Sequence, residues 1–348
     1  MMARAASVLA FVLCVGIASA APARAFLPPP LANLNHDVRA LAQRLPAATA
    51  LDVLDLNTGY NAGFNAAKSM PAASTIKLPV MVEVFTQLAA GNFDLQRRVM
   101  LRPADKDYGS GVLCDAPAGS TFPISELVEK MIDISDNTAT NMLIRLVGRH
   151  NINRDMEVLG LDRTHLTGDV RTAGWSIRDA LRTSPADLVR LLSLMARREL
   201  VDQWSSNAMI DILEADRINT LLPAPLPQDV PIAHKTGSLN DTLNDAGIVF
   251  ANDAPYVIAV MTTALPSKAL GRAFIHSISR LTYSDELRLA RWREANGIIQ
   301  TGGVESPDAG YWSQQPPSAQ TPDAGAPAGD DAVPADAPTS PPAPAPTP

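Results

Sequence analysis

The chain has 348 residues, 46% of them hydrophobic and 19% charged, which suits one large globular domain or two smaller ones. Its formal net charge of −7 is not offset by a basic stripe, so its charge pattern is not that of a nucleic-acid-binding protein. The histidines show no paired zinc-ligand spacing, and the sequence contains no glycine-rich phosphate loop. We therefore expect neither a metal nor a cofactor.

The first 25 residues have the pattern of a secretory signal peptide. Arg4 supplies positive charge, an apolar run over 7–17 follows, and small residues mark cleavage after Ala20 or Ala25. The run is shorter than a membrane-spanning helix needs, so we predict cleavage, export to the periplasm or medium, and no stable membrane span. Cys114 then has no intramolecular disulfide partner, and we expect it to be buried.

Hydrophobic periodicity predicts strands near both ends of the chain and helices between them. The predicted strands cover 49–56, 60–66, 231–239, 246–250 and 256–263. The predicted helices cover 31–45, 74–90, most of 124–149, a segment beginning at Ser184, and 268–293. This order predicts an α/β (α+β) fold, in which an antiparallel sheet from both chain ends is flanked by helices and carries an inserted all-helical subdomain.

The C-terminal residues differ in composition from the rest of the chain. Residues 301–348 are rich in Pro, Ala and Asp, which predicts a disordered tail. The predicted organisation is a signal peptide at 1–25, one domain at 26–300 and the tail at 301–348.

A serine and a lysine at the start of the 74–90 helix have the spacing of an activated nucleophile. Ser74 and Lys77 are three positions apart, so on a helix they share a face. A serine hydroxyl needs an adjacent base, and a lysine can serve if burial lowers its pKa. This spacing alone also fits an ordinary solvated helix start.

Two further motifs place polar residues where they can reach a cleft. Ser135-Asp136-Asn137 lies between two predicted helical stretches, although these residues are also common helix caps. Lys235-Thr236-Gly237 lies in a predicted strand, where a glycine often marks the close approach of a ligand or backbone.

As an ordered set, the three motifs resemble those of class A β-lactamases and related penicillin-binding enzymes. Their separations are close to the family's usual intervals, and the segments 109–113, 135–143 and 244–247 are also similar. The resemblance covers about 31–291 and implies the β-lactamase/transpeptidase fold.

The resemblance implies catalytic roles for four residues. Ser74 is the nucleophile that becomes acylated, and Lys77 is a base or part of a proton relay. Ser135 passes a proton to the leaving nitrogen. Lys235 supplies positive charge for a substrate carboxylate, with Thr236 and Ser135 beside it.

The resemblance also implies a substrate-binding surface. Asn137 binds the acyl-amide side chain of the substrate, and Tyr108 resembles an aromatic wall of the site. Gly237 lies on the strand edge, and the backbone N–H groups of Ser74 and Ser238 form an oxyanion hole.

The loop at 168–185 departs from the class A pattern. Efficient class A enzymes carry a glutamate there that activates the deacylating water, whereas this loop contains none, and Ala180 and Leu181 stand where Glu and Asn are expected. Either Asp179 substitutes, or Lys77 serves both half-reactions, or the acyl-enzyme is long-lived. The strand region 235–263 also lacks the arginine that many class A enzymes use, which leaves Arg217 and Arg272 as candidates.

Three functions remain open at this stage. The first is β-lactam hydrolysis, and the second is a penicillin-binding or D-alanyl peptidase-like activity on cell-wall stem peptides, with slow deacylation. The third is a non-catalytic cell-envelope binding module. In each case we expect a monomer, with a small-molecule β-lactam or a stem peptide as partner in the first two.

Overall fold

The computed structural model describes residues 28–172, 177–298 and 303–314; the predicted signal peptide and the end of the predicted tail lie outside them. The helices in these ranges are α1 (Pro29–Arg44), α2 (Lys77–Ala89), α3 (Ile124–Asp133), α4 (Asn137–Val147), α5 (Arg149–Val158), α6 (Ile177–Ala180), α7 (Pro185–Ala196), α8 (Gln203–Glu214) and α9 (Lys268–Ala295). The strands are β1 (Ala48–Asp55), β2 (Asn61–Phe64), β3 (Met70–Pro71), β4 (Arg98–Met100), β5 (Thr121–Pro123), β6 (His165–Leu166), β7 (Leu181–Thr183), β8 (Ile232–Leu239), β9 (Thr242–Val249) and β10 (Tyr256–Thr263).

Strands from both ends of the chain form one antiparallel sheet, in the order β2-β1-β10-β9-β8. The β1–β2 hairpin turns at Asn57-Thr58-Gly59, between the two predicted strands, and β1 also pairs with β10, so that Leu51 lies opposite Val260. Every residue of β9 and β10 is buried, which fits strands covered on both faces. The predicted fold class is therefore confirmed.

Two apolar clusters cover the sheet. The first joins α1 and α9 to the sheet, with Leu34 of α1 and Ile275 and Ile278 of α9 fully buried. The second joins the sheet to the helices between β3 and β8, with Phe85 of α2 and Met142 of α4 in its interior. The helical subdomain therefore shares a continuous core with one face of the sheet.

The helix predicted over 74–90 begins as a short 3₁₀ turn. Residues Ala73–Ile76 form this turn, and the α-helical hydrogen-bond pattern starts at Lys77. Pro79 lacks the N–H that would donate to the carbonyl of Thr75, which fits the change of helix type here. Ser74 consequently lies in the tight turn that precedes α2.

The folded part of the chain extends beyond the boundary predicted at residue 300. Residues 303–314, which the composition assigned to a disordered tail, pack back on the helical subdomain. The ring of Trp312 lies 5.6 Å from that of Phe85 and 6.3 Å from that of Trp204, and its Nε1 donates to Glu129 Oε1 at 2.8 Å. Asp211 Oδ2 accepts from the Trp312 backbone N–H at 2.8 Å. We call residues 303–314 the C-terminal strap.

Removing the strap's aromatic anchor is expected to destabilise the fold. Trp312→Ala should lower the free energy of unfolding by about 2 kcal/mol, because a half-buried ring and its contacts with two aromatic neighbours are lost. Trp312→Phe, which keeps a ring but not the Nε1 donor, should lose less than half of that. Urea denaturation measures both variants; equal stability of Trp312→Ala and the wild type would show that the strap contributes nothing.

In the described ranges, no helix is long and apolar enough to span a membrane.

Candidate active site

Ser74 is half-buried and lies in a turn that hydrogen bonds from neighbouring elements hold in place. The Asn244 side chain of β9 donates from Nδ2 to the carbonyls of Pro71 and Ala72 at 2.9 and 3.1 Å. The Ala72 N–H donates to the carbonyl of Leu181 at 2.9 Å, which connects the turn to the 168–185 loop. The turn includes a left-handed residue, Ala73, with φ of 49°.

Lys77 is fully buried one 3₁₀ turn after Ser74 and reaches the second motif. Its Nζ donates to the backbone carbonyl of Ser135 at 2.6 Å, to Ser135 Oγ at 2.9 Å and to Asn137 Oδ1 at 2.8 Å. Burial and the nearby charge of Lys235 hold the pKa of Lys77 well below its ordinary value. The site thus contains an amine that loses its proton readily, in contact with a buried hydroxyl.

Asp136 fixes the second motif from the inside. Its Oδ1 accepts from the Ala139 N–H at 2.8 Å and caps α4, while its Oδ2 accepts from the N–H groups of Val112 and Leu113 at 2.6 and 2.8 Å. Gly111, with φ of 96°, packs so closely that a Cβ there would lie 2.2 Å from this carboxyl group. The resemblance gave Asp136 no chemical role, and the contacts assign it a structural one.

Ser135 has a strained backbone next to this cap. Its φ of 56° lies in the left-handed region, which serine rarely adopts and which costs on the order of 1 kcal/mol. This conformation directs both its Oγ and its carbonyl toward Lys77.

Asn137 uses both ends of its amide. Its Oδ1 accepts from Lys77, and its Nδ2 donates to Asp107 Oδ1 at 2.8 Å. Burial alone would raise the pKa of Asp107, but hydrogen bonds from Asn137 and Thr172 outweigh it and lower that pKa. Sequence reasoning missed Asp107, because only the fold brings this loop residue against α4.

The third motif runs along β8 beside Ser74. A Cβ on Gly237 would lie 2.9 Å from the Ala72 carbonyl oxygen and 3.1 Å from the Ser74 nitrogen, so glycine is required for this approach. Lys235 is fully buried, and its Nζ pairs with Asp216 Oδ2 at 3.1 Å. Asp216, which follows α8, is a second residue that no sequence motif indicated.

The remaining predicted substrate-binding residues differ in exposure. Tyr108 is 74% exposed and Ser238 is exposed, whereas Thr236 is buried in β8. Ser238 Oγ accepts from Lys268 Nζ at 2.7 Å, which places a cation at this end of β8.

Asp179, proposed to compensate for the loop glutamate, is exposed, and so are Arg217 and Arg272, the candidates for the strand arginine. Asp179 lies in the short helix α6, and Ala180 beside it is half-buried. Arg217 Nε pairs with Asp133 Oδ1 at 2.9 Å, so its charge is already partnered, and Arg272 is exposed on α9.

Comparison with known proteins places this constellation in a family. A sequence model of the β-lactamase enzyme family matches residues 33–285. The chain belongs to this family. A β-lactamase from Streptomyces fradiae is 30% identical over 278 residues, which cover 74% of this chain and 85% of the relative. A β-lactamase from Rhodobacter capsulatus is 25% identical over 265 residues, covering 71% and 88%.

Solved structures of β-lactamase-type proteins share the fold. PBP-A is 33% identical with a TM-score of 0.70, covering 76% of this chain and all of PBP-A. A substituted form of PBP-A, 32% identical over 75% of this chain, was solved as an acyl-enzyme complex with penicillin G, again with a TM-score of 0.70 and complete coverage of that protein. A β-lactamase from Sphaerobacter thermophilus is 28% identical with a TM-score of 0.66, covering 78% and 99%. The family resemblance predicted from the three motifs is confirmed.

Proposed function

We propose that this chain is an exported serine β-lactamase that opens the β-lactam ring through an acyl-enzyme on Ser74. The observation that carries the proposal is the contact of Lys77 Nζ with Ser135 Oγ at 2.9 Å, one 3₁₀ turn from Ser74. A hydroxyl, a buried amine of lowered pKa and a second hydroxyl are the groups that acyl transfer needs for moving one proton from nucleophile to leaving group.

In this mechanism Ser74 Oγ attacks the lactam carbonyl carbon and gives its proton to Lys77. The proton then passes by way of Ser135 to the ring nitrogen as the lactam C–N bond breaks. The new bond between Ser74 Oγ and the carbonyl carbon remains as the ester bond of the acyl-enzyme. The N–H groups of Ser74 and Ser238 stabilise the oxyanion, an interaction worth about 3 kcal/mol per donor in serine hydrolases. Because the leaving nitrogen stays tethered by the opened ring, the adduct keeps the whole substrate.

The remaining site residues are proposed to bind substrate. Lys235 and Thr236 bind the carboxylate, with Lys235 held by Asp216. Asn137 binds the acyl-amide side chain of the substrate, and the exposed ring of Tyr108 forms an aromatic wall against that side chain. Gly237 allows β8 to pass close to Ser74.

Deacylation distinguishes two versions of this function. Ala180 stands where the resemblance places the water-activating glutamate, and Asp179 beside it is exposed. This substitution favours a second candidate, a penicillin-binding or D-alanyl peptidase-like enzyme with a long-lived adduct, and so does the likeness to PBP-A. We keep Asp179 and Lys77 as the proposed groups for activating water if turnover is fast.

Turnover of a chromogenic cephalosporin, measured beside the time-resolved mass of the intact protein, separates these functions. Hydrolysis without an accumulating adduct supports the β-lactamase, and a stable adduct supports the slow enzyme. A folded protein that shows neither would contradict both and leave the non-catalytic envelope module.

Restoring a carboxylate at position 180 is expected to accelerate deacylation. The Leu181 carbonyl accepts from the N–H of Ala72, two residues before Ser74, so the backbone next to residue 180 lies beside the Ser74 turn and we expect a glutamate at 180 to reach the acylated serine. Ala180→Glu should shorten the lifetime of a penicillin adduct about 100-fold, the usual effect of a positioned general base. In Ala180→Gln the side chain has the size of glutamate but cannot act as a base, so the adduct lifetime should stay at the wild-type value. Equal lifetimes in the two variants would show that the deacylating water is not activated from position 180.

Export and assembly are part of the proposal. The predicted signal peptide at 1–25 would direct the protein to the periplasm or medium, where it would act as a monomer. N-terminal sequencing of the secreted protein tests the predicted cleavage; a mature chain should begin after Ala20 or Ala25.

A further inference from the structure

Asp107 joins the active site to the loop that departs from the family pattern. Its side chain is almost completely buried, and its Oδ1 accepts from Asn137 Nδ2 at 2.8 Å. Its Oδ2 accepts from the Thr172 backbone N–H at 2.7 Å, and Thr172 Oγ1 donates to the same carboxylate at 3.0 Å.

We propose that Asp107 is a positioning residue that fixes the orientation of the Asn137 amide and thereby the edge that binds the acyl-amide group of the substrate. The inference rests on the proposed function, because Asn137 has this role only if the chain binds such substrates.

The chemistry of the two neighbours leaves Asn137 one orientation. A carboxylate accepts hydrogen bonds without donating, whereas a neutral amine can both donate and accept, so Lys77 can meet either end of an amide. Asp107 therefore requires Nδ2 on its side, and this leaves Oδ1 to accept from Lys77. One of the two Nδ2 hydrogens bonds to Asp107, and the second is available for a substrate carbonyl.

Asp107 is itself held firmly enough to impose this orientation. Its backbone N–H donates to Thr138 Oγ1 at 3.1 Å, and Thr138 directly follows Asn137 in α4. Its Oδ1 also accepts from the Gly109 N–H at 3.0 Å. The carboxylate is thus connected to α4, to its own loop and to Thr172, which leaves little freedom for it to follow a rotating Asn137.

The test compares two substrates that differ in the acyl-amide group. Second-order rate constants for acylation are measured with penicillin G and with penicillanic acid, which lacks the side chain. They come from adduct formation by mass spectrometry or, if no adduct accumulates, from kcat/KM for substrate consumption. Asp107→Asn keeps the size but can donate or accept, so it no longer selects one orientation of Asn137. We expect the penicillin G to penicillanic acid rate ratio to fall about tenfold or more, as for the loss of one hydrogen bond to a substrate.

Asp105→Asn is the matched control. Asp105 is a buried carboxylate two residues away, and it bonds to Arg145 Nε and Nη2 at 2.9 Å rather than to the active site. Its loss should leave the rate ratio within twofold of the wild type, even if the melting temperature falls.

The outcomes separate the two proposals. A wild-type protein that neither forms an adduct with either substrate nor consumes it contradicts the proposed function, and the role of Asp107 with it. A wild type that is acylated, with an unchanged ratio in Asp107→Asn or an equal fall in Asp105→Asn, overturns only the positioning role. If Asp107→Asn does not fold, Asp107→Ser carries the same test, because its hydroxyl is too short to reach Asn137 and should give the same fall.

Discussion

Ser74→Ala is expected to abolish acylation while the protein stays folded. The side chain is half-buried in a turn held by backbone contacts and by Asn244, so loss of one hydroxyl should leave the turn intact. No other group would then attack the lactam carbonyl, and mass spectrometry with penicillin should show no adduct. Residual turnover should fall by at least about 10³-fold, since removal of the nucleophile leaves only binding and oxyanion stabilisation.

Ser69→Ala is the control for this variant. Ser69 is also half-buried, lies five residues before Ser74, and accepts from Arg182 Nε at 3.2 Å. The Ser69→Ala variant should be acylated on Ser74 at the wild-type rate. An adduct of equal yield in Ser74→Ala would show that another residue is the nucleophile.

Lys77→Ala is expected to slow acylation by about 10³-fold, because the hydroxyl of Ser74 then lacks a base within reach. The wild-type acylation rate should rise with pH through the lowered pKa of Lys77, since the neutral amine accepts the proton. Burial and Lys235 lower this pKa, while Asp136, Asp107 and Asp216 oppose the shift. The variant should lose this pH-dependent limb.

Lys68→Ala controls for the loss of a lysine. Lys68 is exposed, and its removal should change neither the acylation rate nor the pH profile. A Lys77→Ala protein that acylates within tenfold of the wild type, with the same profile, would contradict the assignment of Lys77 as base.

The sheet and the motif residues could be predicted because each depends on local patterns in the chain. Alternating apolar residues predicted the strands that became β1 and β8–β10, and the Ser184 cap predicted the start of α7, where its Oγ accepts from the Asp187 N–H at 3.2 Å. The glycine at position 237 predicted a close approach, and the structure places it against Ser74.

Contacts between distant segments could not be predicted. Asp107 and Asp216 fix Asn137 and Lys235, but neither belongs to a motif, and only the fold brings them together. The strap was not predicted because the few aromatic residues around Trp312 have little weight in the overall composition of 301–348. The burial of Trp312 depends on Phe85 and Trp204, which lie far away in the sequence.

The most direct test is the mass of the intact protein over time with penicillin G, followed by peptide mapping of any adduct. We predict a gain of one whole penicillin molecule, located on the peptide that contains Ser74, because the opened ring keeps its leaving nitrogen. A folded protein that neither gains this mass nor consumes penicillin, or an adduct on another residue, would contradict the account.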